Sequence, residues 1–156
     1  METQIDKKTN IFLVDDNDIF ADIVSSRLES NSVYNVESFP TGEDMLVKLT
    51  KHTPDIIILD YELDSVNGNS MNGSEILSLI TKKRPNVPVI MLTAKRGIQK
   101  ALHLMHSGVR DYIVRDNNLF DNLNKSLESF TEMSELKNEI VGLKEKTKNY
   151  FHHIYI

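Results

Sequence analysis

Three acids stand directly after short aliphatic runs: Asp15 and Asp16 after residues 11–14, and Asp60 after residues 56–59. Two further runs end in groups of complementary chemistry. Thr93, followed by the small Ala94, closes the run at 89–92, and Arg115 closes the run at 112–114. Brought into one cleft, three carboxylates repel each other until a cation joins them or a proton is taken up. A hard divalent ion such as Mg²⁺ suits oxygen donors of this kind, and it keeps part of its shell for water or phosphate oxygens. A carboxylate can also act as a nucleophile and form an acyl phosphate. A hydroxyl and a cation nearby would offset charge developing on the phosphoryl oxygens. The chemistry open to this set is metal-assisted phosphoryl transfer.

That chemistry requires a fold that carries the ends of the runs to one rim. The runs at 11–14, 56–59, 89–92 and 112–114 are apolar on both faces, as strands of a parallel sheet covered on both sides must be. A more mixed stretch at 33–39 suits an edge strand. Helical patterns lie between them. Ile19, Phe20, Ile23, Val24 and Leu28 mark one face of a first helix, and Met45, Leu46 and Leu49 a second. Ile76, Leu77, Leu79 and Ile80 mark a third, Ile98, Ala101, Leu102 and Met105 a fourth, and Phe120, Leu123, Leu127 and Phe130 a fifth. Thr41 with Asp44, and Asn72 with Glu75, have the spacing of capping pairs at helix starts. Gly108 suits the left-handed residue that closes a helix. Five β-α repeats imply an α/β doubly wound fold. Right-handed crossovers leave few topologies, and the flavodoxin-like strand order 2-1-3-4-5 is expected. In such sheets the functional cleft lies at the carboxyl ends of the strands.

Composition narrows the function classes. The chain has 156 residues, is 40% hydrophobic and 26% charged, and carries a formal net charge of −5. That is enough apolar material for one domain with an appendage. The absence of a basic excess disfavours direct nucleic-acid binding by this segment. There is no cysteine, so no disulfide framework or thiolate metal site, which suits a cytoplasmic location. No apolar run approaches the length of a membrane span. The expected organisation is a flexible N-terminus at 1–9, a domain at 10–130 and a helical extension or linker at 131–156.

Residues 11–16, 56–60, 91–94 and 108–115 together resemble the receiver domain of two-component response regulators, a CheY-like superfamily. Each motif alone is weak, but four in the right order on the right elements are specific. The resemblance implies that Asp60 accepts a phosphoryl group from a sensor histidine kinase or phosphotransfer protein. It implies that Asp15, Asp16, Asp60 and the backbone carbonyl of Glu62 hold Mg²⁺. Thr93 would contact a phosphoryl oxygen, Arg115 would supply the cation, and Tyr112 would be the switch aromatic. Such a receiver catalyses its own phosphorylation and dephosphorylation, yet it is primarily a signalling switch.

The chain departs from the family pattern at three places. Arg115 stands where the family usually has Lys, replacing a point charge with a planar fork. The segment from Leu63 to Gly73 is about five residues longer than usual and lacks Pro. Glu62 and Lys95 occupy variable rim positions and could pair across the cleft mouth. These departures motivate the alternative of a phosphorylation-independent pseudo-receiver acting as an interaction module. A metal-dependent phosphohydrolase ranks below both, because Glu62 stands where a second catalytic Asp would be expected. His103 and His106 read as surface residues.

Beyond Phe130, the residues Met133, Leu136, Ile140, Leu143, Thr147 and Tyr150 keep a 3-4 spacing. This stripe suits ordinary helix packing and a homodimer seam equally. It also resembles the linker that joins receivers to AAA+ domains in transcription activators, which would make the chain a fragment of a longer regulator.

Overall fold

The computed structural model describes residues 7–63, 70–94 and 98–154. The elements alternate strictly: β1 (Thr9–Val14), α1 (Asp18–Glu29), β2 (Tyr34–Phe39), α2 (Gly42–Leu49), β3 (Ile56–Asp60), α3 (Gly73–Lys83), β4 (Val89–Thr93), α4 (Ile98–Leu104), β5 (Val109–Val114) and α5 (Leu119–Ile154). The strands form one parallel sheet in the order β2-β1-β3-β4-β5. The expected strand order is therefore found, with the mixed strand β2 at one edge and β5 at the other.

Alternation along each strand fills both faces. Phe12 and Val14, Ile57 and Leu59, and Met91 pack with Met45, Leu46 and Leu49 of α2 and with Ile76, Leu77 and Ile80 of α3. The intervening Ile11, Leu13, Ile58, Ile90 and Leu92 are equally buried. This double burial is why the runs read as unbroken aliphatic stretches. Each such side chain contributes about 1.5–3 kcal/mol by leaving water.

Local signals set the helix ends. Asn72 accepts from the Glu75 N–H at 3.0 Å, while Glu75 accepts from the Asn72 N–H at 2.9 Å, a complete capping box. Thr41 accepts from the Asp44 N–H at 3.1 Å, but its hydroxyl donates to the Asp44 carboxylate at 2.7 Å, so the reciprocal half is missing there. Gly108 has φ of 98°, the left-handed closing conformation.

Two helix faces differ from the sequence pattern. In α1 the buried stripe is Ala21, Val24 and Leu28, and Ile19 and Ile23 are exposed. Two residues are about 200° of rotation, so Ile19 and Ile23 stand opposite Ala21. The small Ala21, not the larger isoleucines, faces inward. Leu102 and Met105 are also exposed. Helix α4 gives way to a 3₁₀ turn at Met105–Ser107, whose three-residue period rotates Met105 off the helical stripe, while Leu104 packs against the core. The side chains of Ile98 and Ala101, residues 64–69 of the long loop, and Lys95 lie outside the described residues. Strand β5 begins three residues before the aliphatic run, because Arg110 and Asp111 break the apolar pattern of an edge strand whose register shifts where Val89 and Ile90 of β4 pair with Val109 and Asp111.

The chain forms two compact units, Met1–Leu119 and Phe120–Ile156. In the second, Leu123, Ser126 and Leu127 are buried, and Leu136, Ile140, Leu143, Tyr150 and Ile154 are exposed. No helix among the described residues is long and apolar enough to cross a membrane.

Candidate functional site

Every sequence-predicted acid sits where a strand runs out. The backbone continues one residue past each strand and is pinned there. The Asp15 N–H donates to the Phe39 carbonyl at 3.1 Å, Tyr61 to Leu92 at 2.8 Å, and Arg115 to Thr93 at 2.8 Å. These bonds extend the ladders to the rim and leave the side chains facing a common pocket. Asp15, Asp16 and Asp60 each present one carboxylate oxygen, and the three oxygens lie within 4.8 Å of one another. Asp15 and Asp60 are buried and Asp16 is exposed.

Each buried acid is held from two sides. Asp15 Oδ1 accepts the Asn17 N–H at 2.9 Å, and Asn17 caps α1 by accepting the Phe20 N–H at 3.0 Å. Asp60 Oδ1 accepts the Glu62 N–H at 2.9 Å. One nitrogen of Arg115, Nη2, then joins the two acids, donating to Asp15 Oδ2 at 2.5 Å and lying 2.9 Å from Asp60 Oδ1. The guanidinium carbon stands 4.2 Å from the centre of the Phe20 ring. Arg115 Nε is buried without a hydrogen-bond partner.

The electrostatics follow from this packing. Burial pushes the Asp60 carboxyl from its ordinary 3.8 up to about 6. Arg115 and the Glu62 N–H pull it down, and the neighbouring Asp15 and Asp16 charges push it further up. Asp15 is raised too, foremost by burial, against the lowering effect of the Asn17 N–H and Arg115. Among the described residues, the three acids therefore hold more negative charge than Arg115 neutralises. Three hard oxygen donors with that surplus fit a Mg²⁺ ion by donor type and charge.

Backbone packing locks the end of β3. An added Cβ on Gly73 would stand 2.7 Å from the Asp60 carbonyl oxygen, 2.8 Å from that of Tyr61 and 2.9 Å from the Tyr61 Cα. Only glycine lets α3 start this close to the end of β3. Glu43 at the start of α2 accepts the Met71 N–H at 2.7 Å, which ties down the end of the long loop.

The remaining predicted residues occupy the same sheet end. Thr93 is fully buried and its hydroxyl donates to the Ala94 carbonyl at 3.1 Å. Tyr112 is half-buried against the core and sits beside Met91 in the ladder. Three contributors were not legible: Asn17 as the brace of Asp15, Glu43 as the loop anchor and Phe20 beneath Arg115. Asn17 carries a capping signal, since it immediately precedes the helical pattern. The other two depend on contacts that no local spacing encodes.

The family model described as the response regulator receiver domain matches residues 11–127. The chain belongs to this family. It is 28% identical over 139 residues to the nitrogen assimilation regulatory protein NtrX of Azorhizobium caulinodans, across 89% of this chain and 30% of that protein. It superimposes with a TM-score of 0.71, at 26% identity, on the CheY-like response regulator receiver domain protein of Methanospirillum hungatei JF-1, covering 83% of this chain and 98% of that one. NtrX of Brucella abortus, in complex with ADP, gives a TM-score of 0.74 at 26% identity, over 87% of this chain and 30% of that one. The chain thus spans about 30% of the length of either NtrX. It is a receiver domain of the kind found in two-component response regulators.

Proposed function

We propose that this receiver takes a phosphoryl group on Asp60 from the phosphohistidine of a sensor kinase or phosphotransfer protein, and that it needs Mg²⁺ to do so. The reading is carried by the convergence of the Asp15, Asp16 and Asp60 oxygens within 4.8 Å beside a bridging arginine. Asp15, Asp16, Asp60 and the Glu62 carbonyl would hold the ion. When bound, it would screen the acids and the incoming phosphoryl charge.

The chain's own groups would do the rest. Among the described residues the hydrogen bond from Glu62 and the ion pair with Arg115 both fall on Asp60 Oδ1, so Oδ2 would be the attacking atom, forming the O–P bond as the donor nitrogen leaves. The Glu62 N–H and Arg115 would keep Asp60 ionised enough to attack. Arg115 would turn a second N–H toward the phosphoryl oxygens, where its fork suits them. The Thr93 hydroxyl is engaged with a backbone carbonyl; exchanging that acceptor for a phosphoryl oxygen would give it two states. Tyr112, next to Met91 in the ladder, would follow Thr93 and alter the surface near β4 and β5.

The extension of α5 would pass this change to a second copy of the chain. With Met133, Ile140, Thr147 and Ile154 at the a positions and Leu136, Leu143 and Tyr150 at d, the flanking g and e positions carry Glu132, Glu139 and Lys137, Lys144. In a parallel pair Glu132 meets Lys137 and Glu139 meets Lys144 across the seam, whereas an antiparallel pair sets the e-position Lys137 against Lys144 and Glu139 against itself, with only Glu132 facing Lys146. A parallel dimer is the arrangement these charges support.

Intact mass after incubation with acetyl phosphate and Mg²⁺ tests the central claim. A gain of one phosphoryl group that vanishes in Asp60→Asn is expected. No gain in the unaltered protein would favour a phosphorylation-independent interaction module instead.

A further inference from the structure

The half-buried Phe20, one helical turn before the buried Val24 and three residues after the cap at Asn17, stands at the pocket. Its ring lies 4.2 Å from the guanidinium carbon of Arg115. That guanidinium does two things at once. Through Nη2 it occupies an oxygen of Asp15 and an oxygen of Asp60, and its Nε is buried without a hydrogen-bond partner. An unsatisfied buried donor is unfavourable, and a cation held over an aromatic face recovers part of that loss. The two features belong together: the Nε goes buried and unbonded where an aromatic ring supports the guanidinium.

We propose that Phe20 is a positioning residue that holds Arg115 in the acidic pocket as a tethered counter-ion, and thereby sets how readily the pocket accepts Mg²⁺. The inference rests on the phosphoacceptor reading of the pocket. Asp15 has two oxygens, and both are engaged: Oδ1 by the Asn17 N–H and Oδ2 by Arg115. Each oxygen keeps a second lone pair, but a guanidinium bridging Asp15 and Asp60 competes with a divalent ion for the same negative charge and repels it at close range. Whatever stabilises the bridged arrangement therefore opposes ion binding. A lysine at this position would gain less from the ring, because its compact ammonium is more strongly hydrated and has no planar face to lay against it. Arg115 and Phe20 act as a pair, and the pair makes the pocket more demanding of ion concentration than its three acids alone would be.

The test is a Mg²⁺ titration by calorimetry on the unaltered chain, Phe20→Leu, Phe20→Tyr, Arg115→Met and the Phe20→Leu/Arg115→Met double variant, with circular dichroism confirming that each is folded. Phe20→Leu should raise Mg²⁺ affinity about two- to fivefold, the factor that corresponds to about 0.5–1 kcal/mol for a partly exposed cation–π contact. Phe20→Tyr keeps a π face and should bind as the unaltered chain does. In the Arg115→Met background, Phe20→Leu should change nothing. Equal affinities in the unaltered chain and Phe20→Leu, a weaker Phe20→Leu, or an effect that persists without Arg115, would each overturn the positioning role while leaving the phosphoacceptor reading intact. Absence of Mg²⁺ binding in the unaltered chain would overturn both.

Discussion

Replacing Asp60 by asparagine should stabilise the metal-free protein at neutral pH, and the gain should depend on pH in a defined window. Burial raises the folded-state pKa of Asp60 from 3.8 to about 6. Each pKa unit is about 1.36 kcal/mol, so ionising this buried group removes about 3 kcal/mol of folding stability. The sign follows from proton counting. Between pH 3.8 and 6 the folded state holds a proton on Asp60 that the unfolded chain has lost, so stability falls as pH rises and levels off above 6. Asparagine carries no such proton. Asp15, also raised, is present in both proteins and cancels in the difference to first order. Urea unfolding in EDTA, followed by circular dichroism from pH 4.5 to 7.5, should show Asp60→Asn gaining on the unaltered chain by about 2 kcal/mol. About 1 kcal/mol of the total has already been lost by pH 4.5. Adding Mg²⁺ at a hundred times its Kd should then return about 2.7 kcal/mol to the unaltered chain, and much less to the variant. A difference that stays flat across this range, or that moves in favour of the aspartate as pH rises, would refute the argument that burial dominates the electrostatics of this pocket.

Gly73→Ala should destabilise the protein by roughly 1–3 kcal/mol, because its Cβ would press on the backbone of Asp60 and Tyr61; equal urea midpoints would show that α3 can retreat. That substitution should also slow phosphorylation by acetyl phosphate, since the strand end carrying the acceptor must shift to relieve the clash. Ile140→Glu should convert a dimer to a monomer in sedimentation equilibrium, and a mass unchanged between the two proteins would end the case for a seam along α5. Exchanging Glu139 and Lys144 should preserve the dimer, because the exchange keeps the cross-seam pairing intact.

The parts of the fold legible in the sequence were those set by period and local cap chemistry. Four of the five strands announce themselves as aliphatic runs because both faces of the sheet are buried, and strict alternation with helices leaves little freedom in topology. The same logic located Asp15, Asp60, Thr93 and Arg115, since a residue after a buried strand emerges at the rim. Reading α1 by apolar count alone misplaced Ile19 and Ile23, because a helix can turn an alanine inward when its neighbour is close. The start of β5 was hidden by Arg110 and Asp111, which an edge strand tolerates. Contacts between distant segments were the illegible part. Glu43 meets the Met71 N–H across 28 positions, and Arg115 meets Asp15 across 100. Such pairings depend on side-chain reach within the finished fold, which no window of sequence contains.

The exchange of lysine for arginine gains its meaning from those long-range contacts. Arg115 touches both buried acids, and the Glu62 N–H adds a second favourable contact to Asp60, yet the Asp60 carboxyl still sits at about 6. Desolvation and the two neighbouring acids together outweigh Arg115 and the Glu62 N–H. A proton can make up the remainder, but a protonated Asp60 is a poor nucleophile. A divalent ion can make it up without taking the attacking electron pair. At neutral pH, above that pKa, Asp60 is mostly ionised beside two other acids, so Arg115 holds the acids together without fully neutralising them, and that deficit is what a divalent ion would fill under the proposed function.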